Sequence, residues 1–295
     1  MKRTCPRRDG FWTRLNGLAL LCLLPCLAWS AELHVPVTVE AGRPFSISAE
    51  GSGQAVFYLL GPDHVSKRRV NLGGDLRIEG SDVRAAGRYQ VILCEVSCSS
   101  ATFEVKAAQP AHLSFFLHPS RVPVSTPDSV DATAFVFDQY LNLVLNPTPL
   151  DFRVTPASGA GFSRETSTRD GVAWMHMTST AHEGKVHVIA ASGNVQETRV
   201  IQQVAAEACG LRMKAILSGE TVTIETDPVR DCSGNALPDG TVVSFTKIDQ
   251  AGKSTVDTAI KKGVARTQFH VHGAAQISAA CGVVLGNEVA LKGAP

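Results

Sequence analysis

Two histidines, His270 and His272, stand one residue apart in the segment Arg266-Thr267-Gln268-Phe269-His270-Val271-His272. Alternate residues of a strand point to one face, so the pair could chelate a metal. A protein metal site asks for three or four ligands, and no cysteine or carboxylate lies at ligand spacing from this pair. The expectation is a solvated strand face and no metal. The other constellations that would carry catalysis are missing. The chain has no Gly-x-Ser-x-Gly, no His-Glu-x-x-His and no phosphate-binding loop, and Gly159-Ala160-Gly161 lacks the third glycine of a dinucleotide fingerprint. No catalytic residue, no enzyme activity and no cofactor are expected.

The cysteines carry more information, once their compartment is known. Residues 1–30 place Lys2, Arg3, Arg7, Arg8 and Arg14 against Asp9, ahead of an apolar run from Leu15 to Trp29 that Pro25 interrupts. Ala28 and Ser30 supply the small residues of a cut before Ala31. This is the pattern of a secretory signal peptide, and the run is too short and broken for a membrane anchor. No later stretch is apolar and long enough to span a membrane. The leader carries +4 of a formal net charge of +1, so the mature chain stands near −3. Such a balance gives nucleic acid nothing to hold.

Export puts the remaining cysteines, Cys94, Cys98, Cys209, Cys232 and Cys281, in an oxidising compartment. Cys94 and Cys98 flank three residues between two strand-like runs, which predicts a disulfide closing a hairpin. In the loop-entropy description that bridge is worth about 2 kcal/mol. The other three are expected at one end of a single domain. The favoured pair is Cys232–Cys281, because the loops after the second and sixth strands of a sandwich are neighbours. Cys209–Cys281 stays open as the alternative.

The elements that must position these residues are strands. Runs such as Ala55-Val56-Phe57-Tyr58-Leu59, Lys185-Val186-His187-Val188-Ile189 and Thr221-Val222-Thr223-Ile224-Glu225 alternate with period two between turn residues. The predicted class is all-β. Two Ala-rich joints, at 106–111 and 204–208, cut the mature chain into 31–107, 108–205 and 206–295, each close to the size of one immunoglobulin-like sandwich.

The second and third pieces repeat each other. Asp138-x3-Asn142 matches Asp231-x3-Asn235, Phe152 matches Phe245, and Gly171-Val172-Ala173 matches Gly263-Val264-Ala265. Gly184, Val188 and Ala190 likewise match Gly273, Ile277 and Ala279. A period near 90 residues means two copies of one domain in tandem. The Asp is expected to bond backbone N–H groups of a turn, and the Asn to take the left-handed conformation of a tight loop.

These motifs resemble the bacterial immunoglobulin-like domains of the invasin and intimin type, over residues 108–295. The third piece carries Asp231, Gly234, Asn235, Pro238, Gly240, Val243, Phe245, Gly263 and Ala265 of that pattern. The second keeps Asp138, Asn142, Pro149, Phe152, Asp170, Gly171 and Ala173, with Leu141 in place of the loop glycine. The resemblance implies three tandem immunoglobulin-like β-sandwiches after a signal peptide, the first one divergent. In that first piece Gly87-Arg88-Tyr89 resembles the tyrosine corner of such domains.

Trp174 is the candidate binding residue. It aligns with Arg266, and because Phe269 should face the core, Trp174 should face outward. Exposed Trp is enriched where proteins bind partners. The expected role is a non-enzymatic structural or adhesive module of the bacterial cell envelope, exported to the periplasm, surface or medium, with a protein or glycan partner. No outer-membrane barrel of the kind invasin-type adhesins carry is found in the sequence. A periplasmic or secreted assembly subunit is therefore the alternative expectation, and a metal-dependent carbohydrate binder or enzyme the minor one.

Overall fold

The computed structural model describes residues 33–292, so the segment 1–30 read as a signal peptide lies outside the described residues. The strands sort into three pairs of sheets, each a three-stranded sheet with a five-stranded one. Inward residues alternate along the strands, as a half-buried sheet requires. They gather into three hydrophobic clusters, drawn from residues 41–105, 115–201 and 208–281. The fold is a series of immunoglobulin-like sandwiches.

In the first sandwich the small sheet runs Leu33–His34, Phe45–Ala49, Gly74–Ile78. In the second it runs Val172–Met177, Val130–Phe137, His112–His118, and in the third Met213–Ser218, Thr221–Thr226, Arg266–His270. An early strand joins the last strand in parallel in the first two. Thr38–Glu40 lies beside Cys98–Lys106, and Arg121–Pro123 beside Val195–Val204. In the third only a single parallel bridge, Leu211 to Gly286, stands there.

One register unites all three. Phe57 pairs with Leu93, Phe152 with Ala190 and Phe245 with Ala279. Each partner lies six residues past a glycine that leads into its strand, Gly87, Gly184 or Gly273. The three phenylalanines are fully buried, and truncating any of them to Ala costs about 3–5 kcal/mol. The first sandwich therefore shares the frame of the others although its sequence does not show the repeat. Its Tyr89 is buried and donates its hydroxyl to the Ala85 carbonyl at 3.0 Å. Burial, with the Asp63 charge, pushes that phenol up to about 12.

Cys94 and Cys98 sit directly opposite each other at the end of a hairpin and form a disulfide. The turn between them leaves Val96 fully exposed. In the third sandwich the expected Cys232–Cys281 pair does not form, and neither does Cys209–Cys281. The bond joins Cys209 to Cys232, with Cα atoms 4.6 Å apart. The reason is strand alternation and linker docking. Cys281 follows Ala275, Ile277 and Ala279 on the inward face of its strand and is buried, whereas Cys232 lies in an exposed loop. The linker is meanwhile held along that loop, since Ala206 N donates to Asp231 Oδ2 at 3.0 Å and Cys209 N to the Arg230 carbonyl at 2.9 Å. Cys281 remains a thiol, its pKa raised by burial and by Glu207.

The Asp-x-x-x-Asn motif turns out to be a joint between sandwiches. Asp138 Oδ1 accepts the N–H groups of Tyr140 and Asn142, both at 2.8 Å, and its Oδ2 accepts from Ala108 N at 2.9 Å and Asn142 Nδ2 at 2.8 Å. Thus held, Asn142 reaches into the first sandwich. Its Nδ2 donates to the Arg84 carbonyl, and its Oδ1 accepts from Ala86 N, both at 2.7 Å. Tyr140 packs beside it against the first core, under the Arg84 guanidinium. A Cβ on Gly42 would fall 2.0 Å from the Tyr140 hydroxyl, and Gly42 has φ +74°, so only glycine fits.

The second joint repeats the first. Asp231 organises Ser233, Asn235 and Ala206 in the same way. Asn235 Nδ2 donates to the Ala181 carbonyl at 2.9 Å, and its Oδ1 accepts from Glu183 N at 3.4 Å. Ser125 and Ser233 add a hydroxyl pair at 2.7 Å.

Candidate functional site

Trp174 lies on Val172–Met177, whose Ala173, Met175 and Met177 point into the core. Trp174 and His176 therefore point outward. Strand pairing sets Trp174 beside Thr133 and Thr133 beside Phe116, one row across the small sheet of the second sandwich. Trp174 is 51% exposed and Phe116 58%. The adjoining row is His118, Asp131 and His176, in which His176 Nδ1 is bonded to Asp131 Oδ1. Behind Phe116 the ring of Phe135 stands edge-on at 5.9 Å, and Phe137 continues the stack at 6.5 Å. The face is a flat aromatic band with one hydrogen-bonding border. Covering a half-exposed ring with a partner is worth about 2 kcal/mol at ordinary transfer values.

The third sandwich shows what this face looks like when the fold alone decides. Arg266 occupies the Trp174 position, in a row with Glu225 and Lys214. Arg266 Nε donates to Glu225 Oε2 at 2.6 Å. A charged, solvated row thus serves the sandwich equally well, so packing does not demand the aromatics of the second. Large apolar groups exposed together are the feature that marks interaction surfaces.

Phe116, Asp131 and His176 were not singled out by the sequence reading. A signal for Phe116 was present in Phe115-Phe116. Two neighbours on a strand cannot both enter one core, and the structure buries Phe115 and exposes Phe116. The remaining residues join the site only through strand register.

His270 and His272 are placed together, their rings edge-to-face at 4.9 Å, but each has a carboxylate of its own. His270 Nε2 lies 3.2 Å from Glu220, and His272 Nδ1 lies 3.6 Å from Asp249. Among the described residues no three His, Cys, Asp or Glu side chains gather closely enough to hold a metal ion. Among them, too, no helix is long and apolar enough to cross a membrane.

No protein-family model matches the chain, and no curated protein matches it by sequence. Solved structures do match. FdeC, an Escherichia coli adhesin, superposes with a TM-score of 0.60 at 14% identity, over 90% of this chain and 96% of its own. InvD of Yersinia pseudotuberculosis gives 0.50 at 10% identity, over 90% and 97%. Invasin, a bacterial integrin-binding protein, gives 0.50 at 12% identity over 89% of this chain, which spans 59% of the invasin chain. The likeness shows the fold, tandem immunoglobulin-like domains similar to those of these proteins.

Proposed function

We propose that the chain is an exported, non-enzymatic adhesive module of the bacterial cell envelope. It contacts a protein or glycan partner through the Phe116–Thr133–Trp174 row. The observation that carries this reading is the contrast between two copies of one fold. The same three positions hold an aromatic row in the second sandwich and a Lys214–Glu225–Arg266 row in the third. The likeness in fold to the FdeC adhesin supports it. So do the two disulfides, which belong to an oxidising compartment.

The test exchanges one row for the other. Phe116→Lys, Thr133→Glu and Trp174→Arg together should leave the melting curve of the protein near that of the parent. Retention of the mature chain on a panel of immobilised glycans and on envelope preparations should fall at least tenfold. Undiminished retention by the triple variant would remove the row from the function. Intact-mass measurement on exported protein tests the compartment, and a mass that still includes Met1–Ser30 counts against export.

A further inference from the structure

Each joint uses a socket of two backbone groups, placed by the glycine that leads into the central strand of the large sheet. In the first sandwich the socket is the Arg84 carbonyl and the Ala86 N–H, three residues and one residue before Gly87, and Asn142 fills both. In the second it is the Ala181 carbonyl and the Glu183 N–H, at the same offsets from Gly184, and Asn235 fills both. The same offsets from Gly273 in the third sandwich give the His270 carbonyl and the His272 N–H.

Both groups of this third socket are occupied from within. Lys247 Nζ donates to the His270 carbonyl at 3.0 Å, and His272 N donates to Asp249 Oδ2 at 2.9 Å. Lys247 and Asp249 are themselves bonded at 2.7 Å, with side chains only 8% and 0% exposed. Register shows how unusual this lysine is. Lys247 pairs with Ile277, four residues past Gly273, while Val154 pairs with Val188 and Leu59 with Val91 at the same distance past Gly184 and Gly87. Val154 and Leu59 are buried core residues. Two residues further along, Asp249 corresponds to Pro156 and Gly61. A lysine in place of a core aliphatic is costly unless its charge is paired and hydrogen-bonded. Here the pairing is achieved on the socket.

We propose that Lys247 and Asp249 form a built-in plug that closes the docking socket of the third sandwich. The pair supplies one donor and one acceptor, the same two groups that an asparagine amide supplies to the other sockets. An Asp-x-x-x-Asn loop brought to this end, from a sandwich placed after Leu291 or from a second copy, finds both positions filled. Displacing one member of the pair strands the charge of the other, so the plug is held more firmly than a lone hydrogen bond. Head-to-tail growth through this joint stops at the third sandwich.

The experiment appends a second copy of residues 202–292 directly after Leu291, which stands at the register position of Ile201, so an Asp231…Asn235 loop reaches the socket on a linker of native length. Spin labels on the third and appended sandwiches report their distance by pulsed electron resonance, and hydrogen exchange follows the His272 amide. With Lys247 and Asp249 in place, the expected distance distribution is broad and the His272 amide stays protected. With Lys247→Val and Asp249→Gly, the distribution should collapse to one narrow peak. The His272 amide should then exchange fast without the appended copy and slowly with it. A reciprocal variant, Val154→Lys with Pro156→Asp, guards against a third sandwich that fails to fold when opened. It should close the second socket and broaden the distances between the second and third sandwiches. Narrow docking onto the native plugged socket would overturn the proposal. So would a reciprocal variant that folds and leaves the second joint narrow.

Discussion

Asn142 and Arg84 belong to different sandwiches, yet the asparagine Nδ2 donates to the Arg84 carbonyl at 2.7 Å. The same amide is held from below by Asp138 Oδ2 at 2.8 Å. The turn that shapes the loop and the bond that orients the neighbour are therefore one network, and a change in either is felt in both.

Asn142→Ala should weaken the first joint by about 2 kcal/mol, the worth of two lost hydrogen bonds. Calorimetry should resolve the first sandwich melting apart from the rest, and Asn235→Ala should do the same for the third. Gly42→Ala should disturb the first joint alone, by driving a methyl into Tyr140. Identical thermograms for parent and variants would show that the amides do not couple the sandwiches.

Leu141 sits at φ +65°, and the matching Gly234 at φ +86°. Leu pays a steric penalty there that glycine avoids. Leu141 is 70% exposed, so little packing is lost on removing it. Leu141→Gly should stabilise the second sandwich by about 0.5–1 kcal/mol despite the added freedom of the unfolded chain. Urea unfolding checks the sign, and a lower midpoint refutes the account.

Asp138 and Asp231 give the protein an acid limit. Burial acts on both to raise the pKa, but the hydrogen bonds from Asn142 and Asn235 and from the backbone outweigh it, and both lie below the ordinary 3.8. A folded-state value below the unfolded one stabilises at pH above 3.8. That contribution is lost as pH falls from there through the folded value. The urea midpoint should therefore drop below about pH 4, and the drop should be shallower in Asp138→Asn with Asp231→Asn. A parent and double variant with the same acid slope would exclude these carboxylates as its origin.

Non-reducing peptide mapping should recover Cys94 with Cys98 and Cys209 with Cys232, and leave Cys281 as a thiol. The thiol should react with maleimide only in denaturant, because it is buried and its pKa is raised. Cys232→Ser should cost about 3 kcal/mol by loop entropy. A peptide linking Cys232 to Cys281 would contradict the structure.

The sequence was legible wherever a short-range rule applied. Period-two alternation marked the strands, and the spacing of Phe152 and Phe245 marked the repeat. The matching Gly171-Val172 and Gly263-Val264 stand where the chain crosses from the large sheet to the small one in each copy. It was silent where the answer depended on which face a residue takes in a partner element. Cys281 and Cys232 lie at one end of the sandwich, but one points inward and the other lies in an exposed loop, and that decided the pairing. The Asp-x-x-x-Asn loops were read correctly as turns, but the left-handed residue is Leu141 or Gly234, one position before the asparagine expected to take that conformation. Their second use, as joints, needed the backbone of another sandwich 54 residues away in the case of Asn235 and Ala181. The aromatic row was half visible. Trp174 could be placed by alignment, while Phe116 and Asp131 needed strand register.

The parallel pairing of an early strand with the last one has a mechanical consequence. When a tethered chain is pulled from its two ends, parallel terminal strands slide past each other, and their hydrogen bonds are loaded together in shear. Antiparallel bonds at a strand end would open one by one, like a zip. The first two sandwiches carry such a clamp, Thr38–Glu40 on Cys98–Lys106 and Arg121–Pro123 on Val195–Val204. The third has a single bridge between Leu211 and Gly286. Leu211 lies inside the segment closed by Cys209 and Cys232, so in the third sandwich tension crosses the disulfide instead of that bridge. The Cys209–Cys232 bond then keeps the residues between those two cysteines from extending, which shortens the length the module pays out.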